Sequence, residues 1–217
     1  MTIAPSILAA DLYDLKTSVE SLKAVGLSVL HVDIMDGRFV PNITFGTPMV
    51  KALRNRGFAL DVHLMVERPE ECADAFVSAG ADYLTVHSEA VPAGQLPKLL
   101  AHIRRQGARP GLSIRPKTAV QDIAPFLPLC DQLLIMTVPP GAGGQPYGQH
   151  SDQRIATARR LIDQVNPDCI LEVDGGINAE TINRAYDAGA RRFVCGTSVF
   201  GASDPAEAFA RLSKQRP

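Results

Sequence analysis

Eight times along this chain a short run of β-branched and apolar residues gives way to a longer stretch with helical periodicity. That alternation restricts the fold more than any single motif. The short runs are Ile3 to Leu8, Ser28 to Ile34, Ala59 to Met65, Tyr83 to His87, Pro110 to Ile114, Gln132 to Thr137, Ile170 to Val173 and Arg192 to Cys195, each of strand length. Between them lie amphipathic segments such as Asp14 to Ala24, Pro69 to Ala79, Leu96 to Arg105, Ser151 to Gln164 and Ala179 to Ala188. Gly26, Gly80, Gly107 and Gly189 stand close behind several of them as helix stops. Strict strand–helix–strand alternation requires parallel strands with right-handed crossovers, and eight such units close into a (β/α)8 TIM barrel. A doubly wound open sheet is the alternative this pattern leaves. The 217 residues fit one barrel domain spanning 1–217, since such domains commonly run to about 200–250 residues. No linker or low-complexity tract divides them.

Composition removes several functional classes. Apolar residues make up 46% and the net charge is -1, so neither disorder nor a polyanion-binding surface is expected, and nucleic acid is not an expected partner. No basic leader with an apolar core opens the chain, and no run of about 18 uncharged apolar residues interrupts it. A soluble cytoplasmic protein without membrane contact is the expectation. Cys72, Cys130, Cys169 and Cys195 have no C-x-x-C spacing and read as reduced packing residues.

In barrels the reactive groups come from the carboxyl ends of the strands, and polar residues collect there in this chain. His31 and Asp33 end the second run and, with a period of two, share one face. His63 ends the third, His87 the fourth, and Asp174 follows the seventh. Taken singly, a histidine on an apolar strand is an ordinary hydrogen-bonded core residue. Four ionisable groups at one barrel mouth are different, because buried carboxylates must be paired, protonated or metal-bound. His31, Asp33, His63 and Asp174 form a two-histidine, two-carboxylate set that suits one divalent ion: zinc, iron(II), manganese or cobalt. A second constellation is made of glycine: Pro139-Pro140-Gly141-Ala142-Gly143-Gly144-Gln145 after the sixth run, Asp174-Gly175-Gly176 after the seventh and Cys195-Gly196-Thr197-Ser198 after the eighth. One such loop is an ordinary tight turn, but three adjacent ones let backbone N–H groups approach a phosphate.

These residues resemble the ribulose-phosphate 3-epimerase family and its ketose-phosphate epimerase relatives along almost the whole chain. The resemblance is carried in order by APSILAAD from Ala4, HVDIMDGRFVPNIT from His31, DVHLMV from Asp61, VHSEA from Val86, PGAGGQ from Pro140 and EVDGG from Glu172. It implies that His31, Asp33, His63 and Asp174 bind one divalent metal, and that Asp33 and Asp174 are an acid/base pair. One removes the C3 proton of a phosphorylated ketose and the other returns a proton to the opposite face, through an enediolate stabilised by the metal. The simplest substrate is D-ribulose 5-phosphate, giving D-xylulose 5-phosphate. The resemblance also places Ser6, His63, Gly141, Ala142, Gly143, Gly144, Gly175, Gly176, Gly196 and Thr197 against substrate. Met35, Met65 and Met136 would shield the enediolate from water, and the chain would form homo-oligomers, dimers or hexamers.

The departures bear on the sugar. Arg115 stands where the family pattern has asparagine; its reading is an ion pair with Glu172 or Glu89, ahead of substrate contact. Pro139 replaces a polar residue, Ala142 the usual phenylalanine, Ser88 a proline and Thr197 a serine. Met136-Thr137-Val138 and Gln145-Pro146-Tyr147 resemble the allulose-6-phosphate branch. Epimerisation of another ketose phosphate, a non-catalytic phosphosugar-binding barrel, and a metal-assisted aldolase or lyase are the competing readings.

Overall fold

The computed structural model describes residues 1–215. Its eight strands are β1 (Thr2–Pro5), β2 (Val29–Met35), β3 (Ala59–Met65), β4 (Tyr83–His87), β5 (Arg109–Ile114), β6 (Gln132–Met136), β7 (Ile170–Asp174) and β8 (Arg192–Cys195). All adjacent pairs are parallel, in the order β1-β8-β7-β6-β5-β4-β3-β2. A parallel bridge between Ser6 and His31 closes β1 onto β2 and makes the sheet a barrel. The open-sheet alternative is thereby excluded.

Helices α1 (Leu15–Lys23), α2 (Thr47–Leu53), α3 (Pro69–Ala79), α4 (Leu96–Arg105), α5 (Ser151–Val165), α6 (Ile182–Asp187), α7 (Thr197–Phe200) and α8 (Pro205–Ser213) surround it. Between β5 and β6 the crossover is a 3-10 segment, Val120–Leu129, because Pro125 and Pro128 each lack the N–H an α-helix would use. β1 is shorter than the apolar run that marks it. The Ser6 hydroxyl accepts the Leu8 N–H and turns Ile7–Ala9 into a 3-10 turn.

The period of two along each strand divides its residues between two environments. Leu30, Val32, Leu60, Val62, Leu84, Val86, Leu112, Leu133, Leu171, Val173 and Phe193 belong to one apolar core that includes helix residues such as Leu22, Val50, Phe76, Leu100, Ile155 and Ile182. The intervening residues form the barrel interior, and much of it is polar: His31, Asp33, Asp61, His63, Thr85, His87, Ser113, Gln132, Glu172 and Arg192 are all buried. Such an interior holds together only if its members satisfy one another. The layer is tightly filled; a Cβ on Gly111 would lie 2.1 Å from Thr85 Oγ1. Gly111→Ala is therefore expected to cost about 1–3 kcal/mol by overpacking, read as a lower urea midpoint at unchanged m-value, with Thr85→Ala in the same chain restoring part of the loss.

Candidate metal centre and barrel mouth

β2 and β3 run in a register that sets His31 beside Asp61 and Asp33 beside His63. Asp33 Oδ1 lies 3.3 Å from both His31 Nε2 and His63 Nδ1. Its Oδ2 accepts the Ser6 hydroxyl at 2.5 Å. β7 brings Asp174 in from across the mouth, and candidate ligand atoms of His31, Asp33, His63 and Asp174 all lie within 4.8 Å of one another. These buried groups could hold a metal ion. His31 supplies the test of fit: its Nδ1 is 2.9 Å from Asp61 Oδ2, while its Nε2 is buried with no hydrogen-bond partner among the described residues. A nitrogen lone pair oriented by a carboxylate on the far side of its ring is the donor a divalent cation takes.

The electrostatics separate the two aspartates. Burial would raise Asp33, but the charge of His31, with the hydrogen bond and charge of His63, holds it well below the ordinary carboxylate range. Burial and the negative charge of Asp33 push Asp174 up to about 6. His31 is raised well above its ordinary value despite burial, because Asp33 and Asp61 flank it. A proton and a metal ion thus compete for the same ring.

One layer deeper lies a network that sequence reading did not identify. Asp61 Oδ1 accepts from Gln132 Nε2 at 2.9 Å. The same amide donates to Glu172 Oε2, and its oxygen accepts from Arg192. Arg192 lies 4.3 Å from the centroid of the Tyr83 ring. Burial and the nearby Asp61 raise Glu172 well above its usual range. The signal for Asp61 was present, since it precedes His63 by two and shares its face.

Beside the centre, His63 Nε2 is 2.9 Å from His87 Nε2, and His87 Nδ1 is 3.2 Å from Glu89 Oε2. Burial holds His87 down at about 4. Glu89 is held down to about 2, its burial outweighed by hydrogen bonds from His87, Thr118 and the Arg115 backbone. The Arg115 side chain does not make the expected ion pair. Glu172 sits in the deeper layer, and Glu89 is saturated by other donors. The guanidinium instead lies 3.9 Å over the Phe39 ring and donates to the Phe39 carbonyl at 2.9 Å.

Above the centre opens a cavity of about 520 Å³, lined by Ser6, Asp33, Asp174, Met35, Met65, Met136 and all three glycine-bearing loops, with Gly141, Ala142, Gly143, Gly144, Gly175, Gly176, Gly196 and Thr197 among them. His31 and His63 are fully buried beneath it. Ser198 of the third loop also lines it, as does Asn178, which was not anticipated. Gly176 has φ +64°, and a Cβ there would meet the Tyr147 amide nitrogen at 2.3 Å, so only glycine allows the two loops to meet. Pro139 and Ala142 leave the first loop ordered, because the Gln145 amide donates to both of their carbonyls at 2.8 Å.

The family model for the ribulose-phosphate 3-epimerase family matches residues 2–200. The chain belongs to the ribulose-phosphate 3-epimerase family. A ribulose-phosphate 3-epimerase of Mycobacterium leprae is 42% identical over 215 residues, covering 98% of this chain and 94% of that protein. The cytoplasmic isoform of ribulose-phosphate 3-epimerase from Oryza sativa is 38% identical, with 98% and 92% covered. Among solved structures, 3-hexulose-6-phosphate synthase from Salmonella typhimurium superposes with a TM-score of 0.68 at 16% identity, covering 99% and 98% of the two chains. That likeness concerns the barrel alone. No helix among the described residues is long and apolar enough to cross a membrane.

The Asp174 carboxyl at about 6 stands above its ordinary 3.8. Between those values the metal-free folded protein holds more protons than the unfolded chain, so this group's contribution makes stability fall as pH rises through that window. Asp174→Asn is expected to stabilise the metal-free protein at pH 8 by on the order of 2 kcal/mol, a figure discounted for partial exposure. The difference should vanish near pH 4, as measured by urea unfolding in the presence of a chelator.

Proposed function

We propose that this chain is a metal-dependent 3-epimerase that interconverts D-ribulose 5-phosphate and D-xylulose 5-phosphate. The observation that carries the reading is the placement of Asp33 and Asp174, from strands three positions apart around the barrel, at one cavity above two buried histidines. His31, Asp33, His63 and Asp174 would hold one divalent ion, zinc, iron(II), manganese or cobalt. When bound, such an ion supplies the positive charge that makes a proton beside a carbonyl removable by a carboxylate. Asp33, kept ionised by His31 and oriented by the Ser6 hydroxyl, removes the C3 proton. Asp174, with its raised affinity for a proton, delivers one to the other face, and the roles reverse in the return direction. Two bases on different strands can flank a planar intermediate, as inversion demands.

Met35, Met65 and Met136 exclude water from that intermediate. The phosphate is received by backbone N–H groups of Gly143, Gly144, Gly175, Gly176, Gly196 and Thr197, with Gly141 and Ala142 completing the first loop. The names of the relatives favour ribulose phosphate over allulose 6-phosphate. The barrel is read as one domain over residues 1–217. A cytoplasmic location is supported by the rice relative's name, and a dimer or hexamer by the exposed Leu12, Tyr13 and Ile43 in the loops after β1 and β2.

Ribulose 5-phosphate incubated with the protein in heavy water and followed by NMR should gain deuterium at C3 and yield xylulose 5-phosphate, and a strong chelator should stop both. Asp33→Asn and Asp174→Asn should each lower kcat about 100- to 10,000-fold. A folded, metal-loaded protein that leaves C3 unexchanged would refute the reading and favour a binding barrel. Carbon–carbon cleavage would favour a lyase.

A further inference from the structure

Two imidazoles joined Nε2 to Nε2 at 2.9 Å, as His63 and His87 are, need one donor and one acceptor, so the proton on one ring determines the other. The chain of contacts settles which. Glu89 Oε1 receives the Arg115 backbone N–H at 2.7 Å and the Thr118 hydroxyl, and its Oε2 faces His87 Nδ1 at 3.2 Å. A carboxylate met by donors on all sides acts only as an acceptor, which places a proton on His87 Nδ1. The His87 ring is buried and packed 4.8 Å from the Phe39 ring, which carries the Arg115 guanidinium. A second positive charge there is disfavoured, and the neutral ring leaves His87 Nε2 bare. His63 must then donate from Nε2. Its Nδ1 lies 3.3 Å from Asp33 Oδ1, where a proton answers that carboxylate until a cation shared with Asp33 displaces it and takes the lone pair.

We propose that Glu89, acting through His87, is a positioning residue that holds His63 in the tautomer protonated at Nε2 and so presents its Nδ1 to the metal. The inference deepens the metal-site reading and rests on it. His31 is oriented the opposite way, with Nδ1 on Asp61 and Nε2 free, so the two histidines offer different nitrogens, one set by the buried Asp61 and the other by Glu89 at the barrel rim. Glu89 in turn is fixed by the β5 loop, which ties the ligand's orientation to the segment that carries Arg115 and Thr118. Outer partners of this kind are worth about 10- to 100-fold in metal affinity.

The test needs no variant for its first arm. The chain has 5 histidines, few enough for assignment in a long-range proton–nitrogen correlation spectrum of metal-free, histidine-labelled protein. His63 should carry a proton on Nε2, and His87 one on Nδ1 with its Nε2 bare; a bare Nε2 on His63 would overturn the proposal. In Glu89→Gln the Arg115 N–H keeps the amide oxygen, the NH2 group turns to His87, and the chain of donors reverses. His63 should then shift toward the Nδ1–H form, and zinc affinity, measured by competition with a chromophoric chelator, should fall about 10- to 100-fold. His87→Gln, whose carbonyl can still accept from His63, should lose only a few-fold, and it serves as well if Glu89→Gln does not fold. An unchanged tautomer and unchanged zinc affinity in Glu89→Gln would refute the relay. The expected wild-type tautomer without any zinc binding would support the relay and count against the metal site instead.

Discussion

Four carboxylates, Asp33, Asp61, Glu172 and Asp174, lie inside or at the mouth of one narrow barrel, and their mutual repulsion is the constraint from which the rest of the interior follows. Isolated buried charges of one sign are too costly to keep. The deeper pair is handled by protein groups alone, with Gln132 bridging Asp61 and Glu172, and Arg192 holding Gln132 from beneath. Among the described residues, no arginine or lysine forms an ion pair with the upper pair. It has two histidines, one of them with an unpartnered nitrogen. The lower layer is thus a closed polar core, and the upper layer is the same arrangement left open toward a cation and a substrate.

That division explains why the layers are joined where they are. His31 belongs to both: Asp61 below fixes its ring, and its free nitrogen faces the centre above. His63 is joined sideways, through His87 and Glu89, to the loop after β5. Around the rim, Asn42 donates to the Gly141 carbonyl at 2.5 Å, linking the loop after β2 to the first glycine-rich loop. The chemistry therefore sits on strand ends whose rotamers are held by neighbours, while the anion-receiving surface is built of backbone that glycine allows to come close.

Much of this was legible in the chain. The eight strands and the bounds of α3 and α4 follow from periodicity, and the ligand candidates follow from polar residues interrupting apolar runs. What escaped did so for physical reasons. The β5–β6 crossover keeps helix-like spacing while Pro125 and Pro128 deny it α-helical hydrogen bonds, and the apolar run at Ile3 to Leu8 hides the turn imposed by the Ser6 hydroxyl. Asp61, Gln132, Glu172 and Arg192 come from four strands, and no local pattern shows that they meet. Arg115 was misread because its partner, Phe39, lies 76 positions away, and a cation over an aromatic face leaves no charge pattern in sequence.

The central claim is that the upper cluster is built for one divalent ion. Anomalous diffraction from crystals grown with zinc tests it directly. A single strong peak is expected in contact with His31 Nε2, His63 Nδ1, Asp33 and Asp174. A peak at the deeper trio of His31, Asp61 and Glu172, at the surface pair His102 and Asp74, or nowhere on the chain would contradict it.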